Sequence, residues 1–244
     1  MNRREALFSI GAFAASVPAA VATVRAEEIH GFPRETAQSE EFLPKNIRRG
    51  GGFKVFTKDT DRQTLSSMMD RLIPSDEHGP SATEAGCLDF IDEQLAGDYG
   101  SGAALYLDKP LKPENEEELM GSPQFLSTPR ERYETGLKAL EAYAQKTDGA
   151  AFAALSPDRI DEILTGLEAG KIDLGDGVNG QAFFELVLQN TREGYLADPI
   201  YGGNKDMAGW KMIGFPGARY DYRPYIDRRG EDLDLTPVSL VPND

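Results

Sequence analysis

The chain has 244 residues, 40% of them apolar and 27% charged, which is enough to bury one sizeable core and too apolar for a disordered tail. A formal net charge of -15 argues against general nucleic-acid binding and against direct attachment to an anionic membrane. Two histidines (His30, His78) and one cysteine (Cys87) exclude a C-x-x-C-H haem site, a cysteine-ligated iron–sulfur cluster and a His/Cys zinc site, so no cofactor is expected in this chain.

Residues 1–26 read as a twin-arginine export signal. Arg3 and Arg4 directly precede a small, apolar, charge-free run over 6–24, with cleavage after Ala22 or Ala26. That route carries passengers already folded, often around a cofactor. A signal of this kind on a chain with no metal site of its own suggests that it exports a partner. Residues 27–52 form an extended arm, polar and punctuated by Pro33, Pro44 and Gly50 to Gly52.

Phe53-Lys54-Val55-Phe56 alternates as a short strand or an extended contact. A helix follows over 60–73, with Leu65, Met68, Met69, Leu72 and Ile73 on one face and Pro74 as its stop. Ser81 and Glu84 make a capping-box pair that opens the next helix, which turns Ala85, Leu88, Ile91 and Leu95 inward and ends near Gly97. An irregular acidic connection covers 111–127. Thr128-Pro129-Arg130-Glu131 is a second capping box, for a helix burying Tyr133, Leu137, Leu140 and Ala144. Ser156-Pro157 starts a helix with Ile160, Ile163, Leu164 and Leu167 inward, stopped by Gly170. The last long helix spans 180–196 and carries Phe183, Phe184, Val187, Leu188 and Tyr195. The fold class is mostly α: a single helical domain of about five to seven helices over 53–225, with an extended N-terminal arm, long ordered C-terminal loops and an acidic tail over 226–244.

The tract 198–217 reads D-P-I-Y-G-G-N-K-D-M-A-G-W-K-M-I-G-F-P-G and holds the only tryptophan, Trp210. Its density of Gly and Pro predicts an ordered loop without helix or strand, while Tyr201, Trp210, Met212, Ile213 and Phe215 are costly to leave in water. It must therefore pack on something.

Other patterns have plain structural explanations. The run Gly175 to Gly180 fits G-x-G-x-x-G, but no strand precedes it and no βαβ pattern surrounds it, so it is a helix connection. His78 lies in an acidic turn, solvated. The carboxylates Asp89/Asp92/Glu93 and Asp158/Asp161/Glu162 are placed on outer helix faces. Cys87, the odd cysteine of an exported chain, is either a buried small hydrophobe or a disulfide to another chain.

Three pieces resemble the gluconate 2-dehydrogenase subunit 3 family, the small subunits of bacterial membrane-associated FAD-dependent sugar and polyol dehydrogenases. The first is Leu72-Ile73-Pro74-Ser75-Asp76-Glu77-His78-Gly79-Pro80 with Glu84-Ala85-Gly86 and Phe90-Ile91-Asp92. The second is Glu193-Gly194-Tyr195 leading into Asp198-Pro199-Ile200-Tyr201-Gly202-Gly203-Asn204. The third is Gly209-Trp210 with Gly214-Phe215-Pro216-Gly217. The match covers 53–222, and Ser81 stands where the family commonly has glycine.

This resemblance implies a complex in the periplasm, at the outer face of the cytoplasmic membrane, held to the membrane only through partners. A large subunit of the glucose–methanol–choline (GMC) type carries FAD and oxidises the alcohol. An iron–sulfur cluster and haem c belong to partner subunits, the latter in a multihaem cytochrome c. The small subunit is implied to be non-catalytic: it presents Arg3 and Arg4 to the Tat translocase and supports folding, maturation and stability of the large subunit. Tyr201, Gly202, Gly203, Asn204, Trp210, Phe215, Pro216 and Gly217 are the candidate partner interface, because glycines allow close approach and aromatics anchor contacts. The alternative is that the tract packs only on its own last helix. A different class of function, an independent periplasmic enzyme or ligand-binding protein, would show itself by flavin binding or substrate oxidation by the isolated chain.

Overall fold

The computed structural model describes residues 52–103, 127–219 and 221–240. The export signal with Arg3 and Arg4, the arm up to residue 51, most of the acidic connection and the last four residues lie outside them. Among the described residues there are seven α-helices, four 3₁₀ turns and no strand, the mostly α architecture expected. No helix among them is long and apolar enough to cross a membrane.

Helix α1 (Asp59–Leu72) buries Leu65, Met68 and Met69 at helical spacing and stops before Pro74, which disfavours helical backbone at Ile73. Helix α2 (Cys87–Ala96) and the one-turn α3 (Asp98–Ser101) follow. Helix α4 (Pro129–Asp148) begins with the expected capping box: Glu131 N–H donates to Thr128 Oγ1 at 3.3 Å and Thr128 N–H to Glu131 Oε2 at 2.8 Å. Helix α5 (Pro157–Glu168) is capped by Ser156, and α6 (Gly180–Leu196) by Asn179. A short α7 (Ala208–Ile213) closes the set.

Helix α6 is the hub. It packs against α1, α2, α4, α5 and α7, which is why ten of its residues are buried rather than one stripe. Two glycines let it come close: a Cβ on Gly136 of α4 would overlap the Phe183 ring, and one on Gly194 would meet Phe90 of α2 at 2.8 Å. Tyr133 fills the centre, edge-on to Phe56 at 5.8 Å and to Phe183 at 6.2 Å.

Four expectations are corrected. The Ser81/Glu84 hydrogen bonds exist, but they close a turn; α2 starts at Cys87, after Gly86 takes a left-handed φ of 85°. Asp92 is not on an outer face: it is buried, and its carboxylate accepts the backbone N–H groups of Lys54, Val55 and Phe56 at 2.7, 2.9 and 2.9 Å. Residues 53–56 are thus an extended strap held to α2, reinforced by Lys54 Nζ on Glu93 at 2.6 Å. Asp161 is likewise engaged, receiving Arg71 of α1 through two bonds at 2.7 and 2.5 Å. Finally, the tract 198–217 is not devoid of helix, since it contains α7 and two 3₁₀ turns, Pro199–Tyr201 and Lys205–Met207.

The tail returns to that tract. Ala218 N–H donates to Val238 O at 2.7 Å, and Asp198 accepts Ser239 Oγ at 2.7 Å and Leu240 N–H at 2.9 Å.

Candidate functional site

The C-terminus of α6 sets the site. A helix end leaves carbonyls without intrahelical partners, and here the tract supplies them. Trp210 Nε1–H donates to Leu196 O at 2.7 Å, and Asn204 Nδ2–H donates to Ala197 O at 2.8 Å. Asn204 Oδ1 in turn accepts Gly209 N–H at 2.8 Å, so one buried amide ties the helix end to the start of α7. Asp198 caps the first 3₁₀ turn by accepting Ile200 N–H at 3.0 Å. Two glycines have no room for a side chain: a Cβ at Gly203 would run into the Gly194 carbonyl, and one at Gly209 into that of Tyr195.

The chain reverses through left-handed backbone at Asn204 (φ 46°), Asp206 (φ 56°) and Met207 (φ 57°). Asn tolerates this conformation; Met does not, at a cost of about 1–2 kcal/mol. Lys205 N–H, bonded to Ala85 O at 2.9 Å, holds the turn against the segment before α2. Tyr195 OH donates to Pro80 O at 2.8 Å, and its oxygen would lie 2.8 Å from a Cβ on Gly79. The three sequence pieces that carry the family resemblance therefore meet in one assembly around the end of α6.

Beside it runs a groove of about 670 Å³ between α2 and α6, lined by Phe90, Gln94, Gln189, Glu193, Leu196 and Tyr201 among others. The Glu193 carboxylate is held by Gln189 Nε2 and Asn190 Nδ2, both at 2.8 Å. Asn190 is buried and also accepts the hydroxyls of Tyr99 and Tyr133, each at 3.1 Å. Burial raises the Tyr133 phenol well above its ordinary range. The groove thus has largely apolar walls, one held carboxylate and the Arg192 side chain on its lining. Among the described residues no group of three or more His, Cys, Asp or Glu is placed to hold a metal.

The proposed interface residues divide into two sets. Gly202, Gly203, Asn204, Trp210 and Gly217 are buried and Pro216 is half-buried, so these shape the tract from within. Tyr201 (46% exposed) and Phe215 (43%) face outward, Phe215 standing edge-on to Trp210 at 5.2 Å. Met212 and Ile213, outside the set named above, are also exposed. The tract does pack on its own last helix, as the alternative had it, and still leaves an apolar outer face.

Cys87 is free and wholly buried, with its Sγ 3.6 Å from Thr191 O. Burial, with the Asp70 charge adding to it, pushes the thiol up to about 12. That is the small-hydrophobe alternative, and it puts the sulfur out of reach of a second chain in this conformation. His78 is solvent-exposed at a turn that Asp76 organises. The run 175–180 is the α5–α6 connection, left-handed at Gly175, Asp176 and Gly177.

Sequence reasoning missed the grip of Asp92 and the capping by Asn204 and Trp210. Asp198-Pro199 was the one available signal, being a typical start for a helical turn. The family model described as gluconate 2-dehydrogenase subunit 3 matches residues 59–217. No curated protein and no solved structure matches the chain.

Proposed function

Because the chain belongs to the gluconate 2-dehydrogenase subunit 3 family, we propose that it is the non-catalytic small subunit of a periplasmic FAD-dependent dehydrogenase acting on a sugar, sugar acid or polyol. The observation that carries this is the family match over 59–217, which includes the whole assembly at the end of α6. Two features support it. A twin-arginine signal precedes a domain whose sequence offers no cofactor motif. The tract also exposes large apolar side chains that an isolated subunit gains nothing by displaying.

In this role the chain supplies Arg3 and Arg4 to the Tat translocase and supports folding and maturation of a GMC-type large subunit. FAD, an iron–sulfur cluster and haem c reside in the partner subunits, which also hold the complex at the outer face of the cytoplasmic membrane.

The test is export. With the large subunit co-expressed, Arg3→Lys combined with Arg4→Lys is expected to leave the large subunit in the cytoplasm, measured by fractionation and flavin content. Undiminished periplasmic large subunit would rule out the escort role.

A further inference from the structure

Charge is unevenly spread along this chain. Against a net charge of -15, residues 201–229 carry Lys205, Lys211, Arg219, Arg223, Arg228 and Arg229 and only Asp206, Asp221 and Asp227. Several of these cations are engaged within the fold. Arg223 pairs with Asp221 at 2.8 Å, Arg228 with Glu231 at 2.7 Å, and Arg219 donates to Thr236 O at 2.7 Å. Lys205 and Lys211 are exposed and make no ion pair among the described residues. Lys205 stands in the turn that precedes α7 and Lys211 within α7, next in sequence to Met212, Ile213 and Phe215, which are 44, 55 and 43% exposed.

The backbone that presents this face is held under strain. Asp206 and Met207 are both left-handed, and bonds from Asn204 and Lys205 into the fold keep them there. A sequence free of other demands would relax such a turn with glycine.

We propose that the outer end of α7, Lys211 to Phe215 with Lys205 in the preceding turn, docks on the large subunit, at a surface with an apolar centre rimmed by Asp and Glu. This rests on the small-subunit reading above and names the site and its partner chemistry. Exposed apolar side chains with two ammonium groups that make no ion pair among the described residues, one on the same helix and one in the turn before it, are complementary to such a surface. A second copy fits poorly, because a two-fold contact would set the same lysines against each other. An anionic membrane fits poorly as well: α7 has six residues, too few for an interfacial helix, and the chain as a whole carries a formal charge of -15. The buried residues of the tract, Gly203, Asn204, Gly209 and Trp210, act by positioning this face.

The experiment measures the Kd of the full chain for the purified flavin-bearing large subunit at low and high salt. Lys205→Glu with Lys211→Glu is expected to weaken binding at least about tenfold at low salt, and Ile213→Ser, a single change at an exposed position, by about fivefold. Wild-type affinity should itself fall with salt. Lys146→Glu with Lys171→Glu changes net charge equally on other helix ends and should shift Kd less than about twofold. Melting curves on all variants confirm folding.

Wild-type binding with unaltered Kd in both face variants overturns the docking site and leaves the small-subunit role standing. Equal weakening by the control pair also overturns it, since only net charge would matter. Failure of the wild type to bind overturns both. Sedimentation with phosphatidylglycerol vesicles, lost on the lysine reversal while subunit association persists, would assign the face to membrane and overturn it too.

Discussion

Asp92 illustrates how a single carboxylate can decide the border of a domain. It satisfies three backbone donors of the strap from a buried position on α2. Asp92→Ala strands those donors, and urea denaturation should show a loss of about 3 kcal/mol. Pattern reading put Asp92 outside, because its partners are main-chain N–H groups, which no side-chain pattern announces.

Cys87 carries a pH prediction with a definite sign. Its thiol is raised from an ordinary 9.0 to about 12 by burial, so the folded state holds the proton more firmly than the unfolded state. The stabilisation is complete below about pH 9 and is lost as pH rises toward 12, by up to about 1.4 kcal/mol per pH unit. Cys87→Ala should flatten that part of the curve, read by denaturation at stepped pH. Thiol reagents at neutral pH should label the wild type only on unfolding.

Among elements, the helices over 59–72, 157–168 and 180–196 were legible within a residue or two at both ends and that over 129–148 at its start, while α2 begins at Cys87 rather than directly after Ser81. Caps explain why. Thr128, Ser156 and Asn179 each precede a sustained apolar period, so local and packing signals agree. At Ser81 the same capping bonds form, but Gly86 breaks the backbone before the helix begins. The tract 198–217 was harder, because α7 is stabilised by contacts with the end of α6 rather than by propensity.

Two substitutions probe this element in opposite directions. Gly203→Ala forces its Cβ into the Gly194 carbonyl and should cost about 3 kcal/mol, seen as a lower melting temperature. Met207→Gly relieves a left-handed methionine and should stabilise by about 1 kcal/mol in the same assay.

For the whole molecule, the central position of α6 implies a single cooperative transition, since five helices lose their partner when it goes. Trp210, the only tryptophan, reports on the tract, while far-UV circular dichroism reports on the helices. Their urea midpoints should coincide; an earlier fluorescence midpoint would mark the tract as a separately unfolding appendage. Legibility at this scale was good for composition and class. It failed for the spatial meeting of the three family pieces, because Tyr195 to Pro80 and Lys205 to Ala85 are contacts over about a hundred residues of chain that no periodicity encodes.

The strap at 54–56 also constrains evolution and engineering. Since α2 grips it mainly through main-chain N–H groups, the grip itself is indifferent to side chain. Proline, having no N–H, is barred at positions 54 to 56, while Val55 also packs against the core and favours an apolar residue there. The strap thus fixes where the described domain begins by peptide groups rather than by side chains, and a change at 54 or 55 is tolerated so far as it keeps those three N–H donors and the apolar contact of Val55.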